Sequence, residues 1–249
     1  MVVVILPAYN EGSSIGNLLR DFSETFHPEK ISYRIIIVND GSTDNTVEVV
    51  LSFRETIDLD LINHSINRGL SEALKTGLIR AVETSSDKDV IITMDSDHSH
   101  LPGLLFRMER MIREGNDVVI ASRYQKGAIT RGVRYSRKML SLGASILFKI
   151  FFPIKGVRDY TCGYRAYRAS LLKSAFRDYG NEFISEPGFS CMVDILLKLK
   201  KYNPIINEVP IILRYDQKKS ASKMNVKKTI RQTLILLVKR KLGIGIHVQ

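Results

Sequence analysis

The sequence predicts an α/β protein built on a mostly parallel sheet flanked by helices, and two observations carry that reading. Apolar runs of strand length at 2–7, 34–39, 59–63, 89–94 and 117–121 alternate with helical patterns near 13–26, 43–53, 69–85 and 101–114. This is the rhythm of right-handed βαβ units. The runs are also continuously apolar, as in Val2-Val3-Val4-Ile5-Leu6 and Ile35-Ile36-Ile37-Val38, which is how strands covered on both faces read.

Taken in order, the first strand runs into Pro7-Ala8-Tyr9-Asn10-Glu11-Gly12 and the second into Asn39-Asp40-Gly41-Ser42-Thr43-Asp44. Ser42, Thr43 and Asp44 precede the second helix, Ser71 lies close to the start of the third, and Pro102 suits the first turn of the fourth. The fourth strand closes on Asp95-Ser96-Asp97. Ligands of open parallel sheets gather at the carboxyl ends of the strands, so these three polar strand ends are expected to face one cleft.

After Ser122 the alternation stops. Arg137 to Phe152 reads as an amphipathic helix with Leu140, Ala144, Leu147 and Phe151 on one stripe. A further helix is expected at 188–201, then a strand pair through Val209-Pro210-Ile211-Ile212-Leu213. The tail from Val226 to Lys241 reads as helix, with Ile230, Leu234, Leu237 and Val238 apolar between cationic ends. No repeat or linker divides the chain, so 1–249 is expected to be a single domain with halves at 1–122 and 123–249.

With 249 residues, 44% hydrophobic and 25% charged, the composition is that of a globular protein and excludes a fibrous or disordered chain. The Met1 start leads straight into a strand and Pro7 cuts the apolar run short, which argues against a secretory signal and for a chain facing the cytoplasm. Cys162 and Cys191 stand at no metal-ligand spacing and read as ordinary small residues. No apolar stretch reaches bilayer-spanning length: Lys149 interrupts the run at Ile146, and cations flank the one at Leu234.

The formal net charge of +11 implies a polyanionic partner. Residues 123–173 and 214–241 hold much of the excess. Basic and aromatic residues do not interleave as they do in RNA binders, and no helix-turn-helix or zinc finger is recognisable. A membrane surface or a phosphorylated substrate is therefore expected, and nucleic acid is not.

Asp95 and Asp97 put two carboxylates at the end of a strand. Hard divalent cations prefer oxygen ligands, and a cation carried by a nucleotide diphosphate takes only one or two from the protein. Taken alone, the pair is more simply a solvated turn. His98 and His100 are lone histidines in a loop and are left out of the metal site.

Together, Pro7-Ala8-Tyr9-Asn10-Glu11, Asn39-Asp40-Gly41-Ser42-Thr43-Asp44 and Asp95-Ser96-Asp97 resemble the motifs of the inverting glycosyltransferases of family two, which have the GT-A fold. Ser122-Arg123-Tyr124, Arg137-Lys138-Met139-Leu140-Ser141, Asp159 through Arg168, Glu208-Val209-Pro210-Ile211 and Ser222-Lys223-Met224 are similar to the polyprenyl-phosphate branch. Within that branch the likeness is to the dolichyl-phosphate mannosyltransferases, in their short form without membrane spans. Asn39, Ser96 and Ser99 depart from common family residues, and the stretch 214–221 lacks the usual Arg and Gly.

The resemblance implies a GT-A sheet whose first half binds a nucleotide sugar and whose second half meets the acceptor and the membrane. It implies donor contacts from Pro7, Tyr9, Glu11, Asp40, Asp95 and Ser96, with Asp95 and Asp97 holding Mg²⁺ or Mn²⁺. Glu11 also has a plainer role at a helix amino-terminus, and Asp44 reads as a helix cap. Arg123, Arg137, Ser141 and Lys223 are expected at the acceptor phosphate, Arg137 and Ser141 lying at i and i+4 of one helical face. Plainer readings are a structural ion pair for Arg123 and a solvated face for Arg137.

Asp194 aligns with the position of a catalytic base in hydroxyl-acceptor relatives. It is expected either to orient sugar hydroxyls or to serve structurally against Arg165, with Glu186 as a further candidate. Asp97, Arg123, Arg137 and Asp194 make up the expected catalytic set. The implied reaction is inverting transfer of a hexose, foremost mannose from GDP-mannose, to dolichyl or polyprenyl phosphate at the cytoplasmic face of a membrane. Two alternatives stay open: a UDP-sugar-dependent transferase acting on polyprenyl phosphate or a glycan hydroxyl, and a non-catalytic nucleotide-sugar-binding subunit. The amphipathic tail is expected to serve the membrane surface or a membrane-embedded partner subunit, and its plainer reading is a helix packed on the protein's own core.

Overall fold

The computed structural model describes residues 1–29, 31–133, 135–217 and 226–244. Five strands and four helices alternate as the apolar pattern requires: β1 (Val2–Ala8), α1 (Ile15–Phe26), β2 (Tyr33–Asn39), α2 (Thr46–Leu51), β3 (Leu59–Asn63), α3 (Leu70–Thr84), β4 (Val90–Thr93), α4 (Leu104–Arg113) and β5 (Val118–Ser122). Helix α4 starts later than expected, so Pro102 precedes it instead of occupying its first turn. The second half adds β6 (Ile129–Arg131), α5 (Tyr135–Phe151), β7 (Arg165–Arg168), α6 (Ala169–Tyr179), α7 (Ser190–Leu199), β8 (Ile206–Pro210), β9 (Ile212–Arg214) and α8 (Val226–Lys241).

Seven strands form one sheet in the order β3-β2-β1-β4-β7-β5-β8, and β6 pairs with β9 in a separate two-stranded sheet. All pairings in the large sheet are parallel except those of β7, which runs antiparallel between β4 and β5. The expected strand pair at 209–213 is thereby corrected. Val209 belongs to β8 beside β5, Leu213 to β9 beside β6, and Ile211 lies between the two strands.

The register sets the cleft. Ala8 lies opposite Asn39, and Ile5 opposite Thr93. The loops leaving β1, β2 and β4 therefore emerge side by side at one edge of the sheet. Residues 2–6, 35–38, 90–92 and 118–121 are buried on both faces, which accounts for the unbroken apolar runs. Helix α1 covers one face with Ile15, Leu18, Leu19, Phe22 and Phe26, a helical stripe of i, i+3, i+4 and i+7 spacing. Helix α3 approaches β1 so closely that a Cβ at Gly77 would lie 2.4 Å from Ile5 Cγ2.

The last third departs from this rule. On α5 the expected stripe does not face the core: Leu140, Leu147 and Phe151 are exposed, while Phe148 and Ser145 are buried. On α8, among the described residues, Ile230, Leu234, Ile235 and Val238 are exposed, and the buried side chains are Leu236 and Arg240. Two helices thus leave apolar faces outside the core. Among the described residues no helix is long and apolar enough to cross a membrane.

Candidate active site

The loops at the ends of β1 and β2 are stitched together by short side chains. Asn10 sits at φ 50; its backbone N–H donates to Ser42 Oγ at 2.9 Å and its Oδ1 accepts from Thr43 N at 2.8 Å. Glu11 N donates to Thr46 Oγ1 at 2.9 Å, and Gly12 N to Asp44 Oδ2 at 3.0 Å. Asp44 Oδ1 also accepts from Thr46 N at the start of α2, so it caps the helix and braces the neighbouring loop. Glu11 Oε2 takes the Ser14 hydroxyl at 2.7 Å beside the amino-terminus of α1.

Asp40 is buried at 3% exposure. Its carboxylate accepts from Arg68 N at 2.9 Å and Gly69 N at 2.8 Å, and pairs with His64 Nδ1 at 2.8 Å. Gly41 takes φ +70, and a Cβ there would lie 2.5 Å from the Ile66 carbonyl carbon. The turn can therefore pass over residues 66–67 only with glycine. Ser96 donates its hydroxyl to the Pro7 carbonyl at 2.7 Å, tying the Asp95-Ser96-Asp97 loop to the end of β1.

Asp97 Oδ1 accepts from Ser99 N at 3.0 Å and Ser99 Oγ at 2.5 Å. Asp95 lines an adjoining cavity together with Ser99 and His100. His98 turns the other way and pairs with Asp21 at 2.7 Å, whereas the His100 ring stacks on Tyr164 at 5.1 Å between centroids. Among the described residues no three His, Cys, Asp or Glu side chains converge as a metal cage. Two carboxylates at the end of one strand are a fitting donor set for a cation that arrives with a diphosphate.

The cavity measures about 460 Å³ and runs from Asp95 to a wall made by α5 and α8. Leu140, Ala144 and Leu147 line it from α5, Met192 and Val193 from α7, and Ile230 and Leu234 from α8. The stripe read on α5 thus faces this cavity. Arg123, Lys138, Tyr124, Ser141 and Thr161 are among its polar groups.

Arg123 is held from behind. Its Nε donates to Asp159 Oδ2 at 2.8 Å, and its Nη2 to Asp159 Oδ1 and Thr161 Oγ1, both at 2.6 Å. Ser141 Oγ lies 3.2 Å from Thr161 Oγ1 and accepts from the Tyr124 hydroxyl at 3.1 Å. Burial opposes the charge on both members of the Arg123–Asp159 pair. Their mutual attraction outweighs it, raising the Arg123 pKa and lowering that of Asp159. Burial pushes the nearby Cys162 thiol up to about 12, with Asp159 adding to the shift, which leaves it an inert small residue.

The structure therefore gathers Asp95, Arg123 and Ser141 around one cavity, and places Pro7, Tyr9, Glu11, Asp40, Ser96 and Asp97 at the adjoining strand ends. Asp194 stands apart: it is fully buried on α7 and pairs with Lys198 and Arg240. Its expected partner Arg165 instead donates to the Met192 and Tyr160 carbonyls. Arg137 lies on α5 one turn before Ser141, but its side chain falls outside the described residues, as does Lys223 altogether. Sequence reasoning met Tyr124, Asp159 and Thr161 within the polyprenyl-branch motifs but gave them no role at the site. The available signal was an acid in the polar loop before β7, 36 residues after the arginine it holds.

The mixed, mostly parallel sheet with acidic strand ends at a cleft is of the GT-A class of glycosyltransferases, as the solved structure with which it superposes shows. Residues 3–176 match the family described as Glycosyl transferase family 2, and the chain belongs to that family. It is 30% identical over 210 residues to a dolichol-phosphate mannosyltransferase of Pyrococcus furiosus, covering 84% of this chain and 55% of the relative. The chain thus spans about half the length of that protein. It is 31% identical to an undecaprenyl-phosphate mannosyltransferase of Micrococcus luteus, covering 84% of this chain and 82% of the relative. It is also 28% identical to a UDP-N-acetylglucosamine–dolichyl-phosphate N-acetylglucosaminyltransferase of Methanococcus voltae, covering 91% and 90%. Among solved structures, glucosyl-3-phosphoglycerate synthase from Mycobacterium tuberculosis with Mn²⁺, UDP and phosphoglyceric acid superposes with a TM-score of 0.66 at 18% identity, covering 98% of this chain and 79% of that one. At that identity the likeness is one of fold.

Proposed function

We propose that this enzyme transfers a hexose, mannose from GDP-mannose, to a polyprenyl or dolichyl phosphate with inversion at the anomeric carbon. The observation that carries the reading is the cavity itself, apolar along α5 and α8 and polar at Arg123, Tyr124, Ser141 and Thr161, with Asp95 at its inner end. A phosphate monoester on an apolar chain matches that division of surface. The names of the two mannosyltransferase relatives support mannose as the sugar and a lipid phosphate as the acceptor class.

In this reading Pro7, Tyr9, Glu11 and Ser96 border the nucleoside. Asp40 lies at the base, where its carboxylate has about four acceptor positions and three donors from the protein, leaving room for one base N–H. Asp95 and Asp97 would hold Mg²⁺ or Mn²⁺, which when bound offsets charge on the departing diphosphate.

The acceptor phosphate has its second pKa near about 6 and is already largely dianionic at neutral pH, so it attacks without a protein base. The enzyme's task is to hold it in line with the anomeric carbon and keep it from being repelled by the donor. Arg123, presented by Asp159, and Ser141 perform this, with Arg137 one helical turn away and Lys223 as a further cation. The exposed apolar residues of α5 and α8, with Lys149, Lys239 and Lys241 beside them, suit an anionic membrane surface. We place the enzyme there, peripherally, at the cytoplasmic face. A single domain over 1–249 goes with this arrangement.

A second reading, N-acetylglucosamine transfer from a UDP-sugar to the same kind of lipid, is favoured by the Methanococcus voltae relative. Transfer of labelled sugar to a short polyprenyl phosphate, from GDP-mannose, UDP-glucose and UDP-N-acetylglucosamine in parallel with and without a chelator, decides between them. Metal-dependent product from GDP-mannose supports the first reading. Product from UDP-N-acetylglucosamine alone replaces it with the second, product from UDP-glucose alone defeats both as to the sugar, and no product with any donor defeats both.

A further inference from the structure

Helix α8 supplies one wall of the cavity, yet among the described residues only Leu236 and, in part, Leu237 of its apolar side chains pack against the core. Amphipathic helices dock through an apolar stripe. On α8, among the described residues, Leu236 is the buried apolar side chain, while Ile230, Leu234, Ile235 and Val238 are exposed. The other buried group on the helix is a charge, Arg240, at 3% exposure.

Arg240 reaches Asp194 on α7. Its Nε donates to Asp194 Oδ1 at 2.8 Å and its Nη2 donates to the same oxygen. The other carboxylate oxygen, Oδ2, accepts from Lys198 at 2.8 Å within α7 itself. One oxygen thus binds the acid's own helix and the other binds α8. All three groups are at most 3% exposed, and Glu186 lies 3.8 Å from Arg240 as a second acid. A carboxylate enclosed in this way does not face substrate.

Buried ion clusters seldom add net stability over well-packed apolar side chains, but they penalise any arrangement that separates the partners. Here the arrangement penalised is α8 lifted from α7. The residues of α8 that line the cavity, Thr229, Ile230, Thr233 and Leu234, lie six to eleven positions from Arg240, about 9 to 16 Å along the helix axis. On the other side, Met192 and Val193 immediately before Asp194 line the same cavity.

We infer that Asp194 and Arg240 are positioning residues for the acceptor, their buried pair pinning α8 to α7 so that the two helices form the cavity walls. The pair stands at a position the chemistry does not need, because an anionic acceptor requires no base. In that respect the inference rests on the proposed lipid-phosphate acceptor.

The test is Arg240→Met in the full chain, read three ways. The KM for a short polyprenyl phosphate is expected to rise about tenfold or more, with nucleotide binding by calorimetry unchanged. Amide exchange should accelerate in α8 and stay slow in β1 and β4. A triple variant, Asp194→Leu with Lys198→Met and Arg240→Met, replaces the three central groups by apolar side chains, leaves Glu186 to Lys239 at 3.2 Å, and is expected to restore slow exchange and the acceptor KM.

A folded Arg240→Met with wild-type acceptor KM and wild-type exchange overturns the inference, as does equal loss of nucleotide and acceptor binding. If Arg240→Met does not fold, the triple variant decides. Slow exchange with a restored KM supports the pin; a raised KM despite slow exchange in α8 overturns it. Absence of transfer to polyprenyl phosphate by the wild-type chain would defeat the proposed acceptor instead, and the exchange comparison would still decide whether α8 is pinned.

Discussion

Arg123 and Asp159 form a two-pronged pair, Nε to Oδ2 at 2.8 Å and Nη2 to Oδ1 at 2.6 Å, in which the acid is fully buried and the arginine partly faces the cavity. Asp159 also accepts from the backbone N–H groups of Arg123, Thr161 and Cys162. Its own N–H donates to Glu208 Oε1 at 2.7 Å. The guanidinium is therefore fixed from the protein side with its remaining surface toward the cavity, which is how a cation is made ready for a phosphate without reorganisation.

Asp159→Asn keeps the shape and removes the charge. Breaking one partner of a buried pair costs about 3 kcal/mol, and releasing Arg123 is expected to lower kcat/KM for the acceptor by about 10²-fold. The pH dependence has a definite sign. Because the folded-state pKa of Asp159 is lowered, its stabilisation is fully present above the unfolded carboxyl value near about 3.9 and is lost as pH falls through the lower folded value. Urea midpoints measured from neutral to acid pH should therefore show a shallower acid limb in Asp159→Asn than in wild type. Parallel limbs would remove Asp159 as a source of acid sensitivity.

The first half of the fold was legible because its strands are covered on both faces and so carry no polar alternation; β1, β2 and β3 lie within a residue or so of the apolar runs. Strand β7 was not legible. It has four residues with Arg165 and Arg168 at its ends, and Arg165 is fully buried only because the Met192 and Tyr160 carbonyls receive it, a long-range compensation no local pattern reports. The α5 and α8 stripes were read correctly as apolar faces. Which surface they meet depends on tertiary placement, and so does the partner of Asp194, since Lys198 lies one turn away but Arg240 lies 46 residues on.

Asp97→Ala is expected to abolish transfer, and Asp95→Ala to reduce it by at least about 10²-fold, since two carboxylates are too few for the loss of one to be absorbed. Chelation of divalent cations should do the same to wild type and be reversed by Mg²⁺ or Mn²⁺. Because Asp97 also orders the loop through Ser99, the comparison needs a folded control, and the thermal midpoint of each variant supplies it. Full activity in the presence of excess chelator would remove the metal from the scheme.

Gly41→Ala tests the turn at the end of β2. The residue sits at φ +70, and its new Cβ would meet backbone atoms of Ile66 and Asn67 at 2.5 to 2.6 Å, neither of which can rotate away. Left-handed strain and the contact together should cost about 2 kcal/mol. The displaced turn carries Asp40, so nucleotide affinity should fall with stability. A variant that binds GDP and melts as wild type does would show that the turn has slack not evident from its packing.

Gly143→Leu separates lipid binding from stability. Gly143 lies on α5, lines the cavity, and a Cβ built there meets nothing within 4 Å. In the interior of a helix, leucine is better than glycine by about 0.8 kcal/mol, so the variant should be at least as stable as wild type. Its side chain would take up space in the cavity whose apolar part matches the lipid chain in the proposed reading, however, and the KM for polyprenyl phosphate should rise about tenfold while nucleotide binding is unchanged. The opposing directions make the result diagnostic, because a general packing defect lowers stability and activity together. Unimpaired transfer by a stable Gly143→Leu would mean that the lipid leaves Arg123 by another route than the gap between α5 and α8.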